Sequence, residues 1–184
     1  MKTEFAILYW FQGLHNPVLD RIAVVITSFG NAGIFWILLT VAMLVFSKKS
    51  KKTAWTAAAA LILSAIVVNL ILKNWVMRDR PCWIDPNVKM LVRIPKDYSF
   101  PSGHSSASFA CATAIFLRNK KVGAPFCILA LLIAVSRMYL FVHWPTDVLA
   151  GTAIGIIQAI IAYFLVDYIY KRFVDKSSKT PENR

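Results

Sequence analysis

Three short stretches of this chain combine residue types that bind and turn over an anion. The first is Lys73-Asn-Trp-Val-Met-Arg-Asp-Arg80-Pro81. Lys73 and Arg80 are seven residues apart, so a continued helix places both on one face, with Pro81 ending it. Two cations snorkelling from the end of a membrane span are the plainer reading of that stretch. The second is Phe100-Pro101-Ser102-Gly103-His104, at the start of an apolar run. Ser102 is a natural helix N-cap, Gly103 lets a ligand approach the backbone, and free amides at a helix start attract phosphate. A capped helix with an interfacial histidine is the alternative. The third is Ser136-Arg137, then His143 and Asp147. Arg137 lies in the apolar stretch Ala130–Val142, where an unpaired charge costs at least ~2.5 kcal/mol. Pro145 suits the first turn of a helix, and Asp147 is near enough to accept a hydrogen bond from His143. That bond leaves the other imidazole nitrogen unprotonated and free to face a substrate.

The elements that must position these residues are membrane helices. Of the 184 residues, 58% are hydrophobic and 16% charged, and the mean hydropathy is +0.57. A globular chain carries about 25% charged residues. Five spans are expected: 31–46, 53–76, 102–117, 122–139 and 144–170, in an all-α polytopic bundle. Residues 1–30 alternate apolar groups with Gln12, His15, Asn16, Asp20 and Arg21. They read as amphipathic helices at the membrane interface, with a sixth span as the alternative. Lys2, Glu4 and the short apolar run Phe5–Phe11 do not resemble a cleavable signal. The division expected is therefore an interfacial segment 1–30, an embedded domain 31–170 and a basic tail 171–184. The net charge of +12 sits largely in short clusters between apolar runs, which sets topology rather than implying a nucleic-acid partner. Lys48–Lys52, Arg118–Lys121 and the tail then share a cytoplasmic face, and all three chemical clusters face outward from the cell membrane. Cys82, Cys111 and Cys127 are too scattered for a disulfide framework or a zinc site. Gly151-x3-Gly155 reads as a helix contact inside the bundle rather than a dimer motif, and the oligomeric state is left open.

Taken together, three cations, a helix N-terminus and two histidines at one end of the bundle fit a phosphate dianion. Lys73…Arg80-Pro81, Pro101-Ser102-Gly103-His104 and Ser136-Arg137…His143…Asp147 resemble, in order and at every position, the three-part signature of the type-2 phosphatidic acid phosphatase superfamily. The resemblance runs from about residue 20 to residue 170. It implies that Lys73, Arg80, Ser102, Gly103 and Arg137 bind phosphate oxygens. His143 is then the nucleophile, Asp147 orients it, and His104 protonates the leaving group. It implies no metal and no cofactor, since cations and amides supply the charge stabilisation. The partners implied are membrane lipids and a lipid phosphate or diphosphate substrate.

Other classes fit less well. A metal enzyme built on His104, His143 and Asp147 would set a divalent ion against three cations. A vanadate-dependent haloperoxidase would be soluble and larger, and a lipid-binding or transport protein would not need both histidines and Asp147. Undecaprenyl diphosphate is the substrate expected, by analogy with compact bacterial members of the superfamily. Phosphatidylglycerol phosphate and phosphatidic acid are the alternatives. A diphosphate expels a phosphate whose last pKa is roughly 6, whereas a monoester expels a poorer alkoxide. His104→Ala is therefore expected to slow monoester cleavage more than diphosphate cleavage in parallel phosphate-release assays. Equal losses on both would count against an acid role for His104.

Overall fold

The computed structural model describes residues 2–174, so Lys176, Lys179 and Arg184 of the expected basic tail lie outside the described residues. The chain opens with α1 (Lys2–Gln12) and α2 (Pro17–Ser28). Asn16 caps α2, its side-chain oxygen accepting from the amides of Val18 and Leu19, and Pro17 takes the first-turn position where a missing N–H costs nothing. Ala32 and Gly33 then adopt left-handed backbone, with φ 49° and 67°, and turn the chain into α3 (Ile34–Phe46). The next helix, α4 (Lys51–Ser64), loosens into a π-helical segment Ala65–Leu72 and closes with α5 (Lys73–Val76). After the short α6 (Pro81–Ile84) comes an irregular stretch, then α7 (Gly103–Arg118), α8 (Lys120–Tyr139) and α9 (Pro145–Ile169). No strand occurs among the described residues.

Helices occupy all five ranges expected to span, but they do not all qualify as spans by length and apolarity. Among the described residues Lys48–Ile84, Lys120–Tyr139 and Pro145–Phe173 do. A fourth crossing results if the pair Pro17–Ser28 and Asn31–Phe46, bent by 40°, is one span. With 16 residues, α7 is about 24 Å long, short of the roughly 30 Å hydrocarbon core. It is the central helix, packed against α4, α8 and α9.

That central position explains its composition. Ser105, Ser106 and Ser108 of α7 are fully buried yet partnered. The Ser106 hydroxyl pairs with that of Ser64 at 2.8 Å and donates to Gln158 Oε1 at 3.3 Å, and the Trp36 indole donates to Ser108 at 3.0 Å. Small side chains let the backbones close, and hydrogen bonds between helices replace the water that is absent. A Cβ on Gly151 would lie 2.5 Å from the Ser102 carbonyl oxygen, and one on Gly155 2.4 Å from that of Ser106. The two glycines thus fit α9 against α7 within the bundle. At the other end of these helices Asp167 accepts from Arg118 at 2.6 Å and from Lys52 at 2.8 Å, with Arg118 stacked on the Tyr163 ring.

Gly155→Val forces backbone against side chain where neither can yield. A loss of about 1–3 kcal/mol is expected, read as a lower unfolding midpoint in detergent. An unchanged midpoint would show that α9 and α7 can separate freely.

Candidate active site

The chemical residues meet at one end of the bundle, but by a different route from the expected helical face. The α5 helix stops at Met77, whose φ of 49° reverses the chain, and Arg80 is extended. Pro81 begins the next short helix instead of ending the previous one. Lys73 and Arg80 are brought together by this turn, because both bind Asp97. Lys73 Nζ donates to Asp97 Oδ2 and Arg80 Nη2 donates to Oδ1 at 2.9 Å. Arg80 also donates to the carbonyls of Asp97 (2.7 Å), Val142 (2.7 Å) and Tyr98 (3.3 Å). Burial raises the affinity of Asp97 for a proton, but Lys73 and Arg80 outweigh it and hold its pKa at about 2.

His143 lies in the α8–α9 junction and is 1% exposed. Its Nε2 is 3.2 Å from Arg80 Nη1, a group that can only donate, so Nε2 accepts and the ring proton belongs on Nδ1. Burial, then Arg80, Arg137 and Lys73, push its pKa well below the usual imidazole range. The ring is therefore neutral at neutral pH, with a lone pair turned towards the cations.

The expected direct bond from His143 to Asp147 is not made at hydrogen-bonding length. Nδ1 lies 3.5 Å from Asp147 Oδ2, and the Ser99 hydroxyl stands beside both, 3.4 Å from Nδ1 and donating to Oδ2. Oδ2 also accepts from the Trp144 amide at 2.9 Å, which caps α9, and Oδ1 accepts from Arg78 at 2.6 Å. Asp147 is the third helical residue after the Trp144 cap and folds back onto its own helix start, so the cap holds the carboxylate and Ser99 completes the contact. Arg78 in turn reaches Thr146 (2.7 Å) and Glu4 (2.8 Å) and lies over the Trp144 ring.

Ser102 caps α7 as expected, its hydroxyl accepting from the Ser105 amide at 3.3 Å. A Cβ on Gly103 would come 3.0 Å from Asn69 Oδ1 and 4.0 Å from Lys73 Nζ, so the glycine keeps the helix start close to Lys73. His104 Nε2 pairs with Asn31 Oδ1 at 3.1 Å, and its ring fills the space that a side chain on Gly30 would take. Arg137, 5% exposed, donates to Thr27 at 2.5 Å. Its Nε is the one buried side-chain polar atom without a partner among the described residues.

Lys73, Asp97, Gly103 and His104 line a cavity of about 420 Å³ whose other walls include Ile37, Leu61 and Ala65. His104 also lines a second cavity of about 510 Å³, with Arg137, Arg93 and Lys96. Arg80, Ser102, His143 and Asp147 are buried and do not line either cavity. Among the described residues no three His, Cys, Asp or Glu side chains gather as a metal-ligand set. Such an arrangement can hold a tetrahedral oxyanion between fixed cations and amides, with a neutral imidazole nitrogen beside it and a second imidazole at the cavity wall. Asp97, Ser99 and Arg78 escaped sequence reasoning. The only signal was their place inside or next to the signature stretches, Arg-Asp-Arg and Asp-Tyr-Ser-Phe-Pro.

Ser99→Ala leaves Asp147 capped but removes the hydroxyl beside His143 Nδ1. A fall in kcat of about 10–100-fold with KM little changed is expected in a phosphate-release assay. An unaltered kcat would show that Ser99 does not help orient the ring.

Residues 53–171 match the PAP2 superfamily. Undecaprenyl-diphosphatase BcrC of Bacillus subtilis is 28% identical over 180 residues, which cover 92% of each chain. In structure the chain is similar to Aquifex aeolicus LpxE, with a TM-score of 0.76 and 26% identity over 87% of this chain and 94% of that one. It is also similar to a transmembrane PAP2 type phosphatidylglycerolphosphate phosphatase from Bacillus subtilis, with a TM-score of 0.72 and 25% identity over 94% and 86%.

Proposed function

The chain belongs to the PAP2 superfamily, and from that premise we propose that this lipid phosphatase cleaves undecaprenyl diphosphate through a phosphohistidine at His143. The observation that carries the mechanism is the setting of the His143 ring, with Nδ1 turned to Ser99 and Asp147 and Nε2 turned to Arg80. The Nε2 lone pair attacks the terminal phosphorus, and the bond from phosphorus to the bridging oxygen breaks. His104 gives that oxygen its proton. Water then attacks the phosphohistidine, the P–N bond breaks, and His104 takes the proton back. Lys73, Arg80, Arg137, the Ser102 hydroxyl and the Gly103 amide hold the phosphoryl oxygens. The unpartnered Nε of Arg137 supports this, as a buried donor that a phosphate oxygen would satisfy.

The choice of substrate rests on the undecaprenyl-diphosphatase relative, which matches over nearly its whole length. On this reading α3, α4 with α5, α7, α8 and α9 are the five spans, and the site opens at the outer face of the cell membrane. The meeting of Lys52 and Arg118 on Asp167 supports a single cytoplasmic end for the basic loops. Residues 1–30 then lie against the outer end of the embedded domain 31–170, and 171–184 form the cytoplasmic tail.

Detergent-purified protein is expected to release phosphate from undecaprenyl diphosphate in excess EDTA, faster than from phosphatidylglycerol phosphate or phosphatidic acid. His143→Ala is expected to abolish release. Loss of activity in EDTA would overturn the metal-free mechanism, and a different ranking would reassign the substrate.

A further inference from the structure

The phosphate site inferred above already holds an anion of the protein's own. The Asp97 carboxylate bridges Lys73 and Arg80, one oxygen on each. The two cations are fixed, at 6% and 2% exposure, whereas the Asp97 side chain is 55% exposed. The backbone around Asp97 is also held. Arg80 grips the Asp97 and Tyr98 carbonyls, the Trp83 indole donates to the Pro95 carbonyl at 3.1 Å, and the Ser99 amide donates to the Arg78 carbonyl at 2.8 Å. The carboxylate can therefore leave the cations for water by rotating its own side chain, without the loop opening.

A carboxylate offers one charge and two oxygens, and a phosphoryl group offers up to two charges and three oxygens. Both suit a pair of cations, but the second outbids the first. We propose that Asp97 is a specificity-determining residue that occupies the phosphate cradle of the free enzyme and is displaced by the phosphoryl group of the substrate. This rests on the phosphatase reading of the site. Its consequence concerns free phosphate. A lipid substrate brings apolar contacts that help it displace Asp97, while inorganic phosphate must do so by charge alone. Asp97 thus keeps the buried cations from retaining the product or capturing ambient phosphate.

Inhibition of the full-length enzyme by inorganic phosphate tests the proposal. Since phosphate must first take Lys73 and Arg80 from the carboxylate, Asp97→Asn is expected to lower the Ki for phosphate about tenfold or more. KM is expected to fall with it while kcat does not rise. Damage to the site would weaken phosphate binding, whereas loss of the carboxylate that competes for Lys73 and Arg80 tightens it. Asp97→Glu, which keeps the charge, is expected to stay close to the parent. If the Asn variant does not fold, Asp97→Ala is read the same way. An unchanged or raised Ki in the Asn or Ala variant would overturn the proposal. If the parent releases no phosphate from any lipid, the proposed function fails instead, and calorimetric titration of parent and variant with inorganic phosphate still decides the role of Asp97.

Discussion

Burying Lys73, Arg80 and Arg137 at one end of an apolar bundle is the constraint from which the rest of the site follows. An uncompensated ion in such surroundings costs several kcal/mol, so each cation must find oxygen. Arg80 finds it in Asp97 and in three backbone carbonyls. Those carbonyls are available because residues 97–98 and 142 belong to no helix and so have no intrahelical partner to satisfy. Irregular backbone within a membrane protein is tolerated where protein encloses it, and here the enclosed carbonyls are what the cations need. Arg137 is less well served, with Thr27 as partner and one donor left over. The site is short of negative charge by construction, which suits it to binding an anion.

Much of this could be read from residue types alone. Arg137 in an apolar run, Ser102 before a helix and Pro145 after His143 each carry a local physical signal, and the helices begin and end near where those signals put them. What could not be read lies in backbone without periodicity. The left-handed turn at Met77 makes the meeting of Lys73 and Arg80 a matter of chain reversal, where seven-residue spacing suggested a shared helix face. Asp97, Ser99 and Arg78 act through contacts between segments far apart in sequence, and none sits at a diagnostic spacing. The π-helical segment before Lys73 is likewise silent in the sequence, since Ala65–Leu72 reads as an ordinary apolar helix.

Helix α7 shows how polar side chains can sit at the centre of an apolar bundle. Its buried serines lower its apparent fitness for a membrane, yet they face other helices and are satisfied there. The close approach of Gly151 to the Ser102 carbonyl sets where this helix begins relative to α9. The Ser102 amide donates to the Asp147 carbonyl at 3.0 Å, which joins the two helix starts directly. Packing in the bundle and geometry at the candidate site are therefore one problem, solved by the same small residues.

The family match begins at residue 53, but the site does not. Glu4 holds Arg78, Thr27 holds Arg137 and Asn31 holds His104, so helices upstream of that boundary steady the groups around the signature residues. The unit that holds the site is larger than the stretch that matches the family. A fragment cut at the family boundary would keep every signature residue and lose the scaffold that aims two of them, Arg137 and His104, and that holds Arg78. Grafting this chemistry onto another helical frame would mean carrying the first 31 residues along with it.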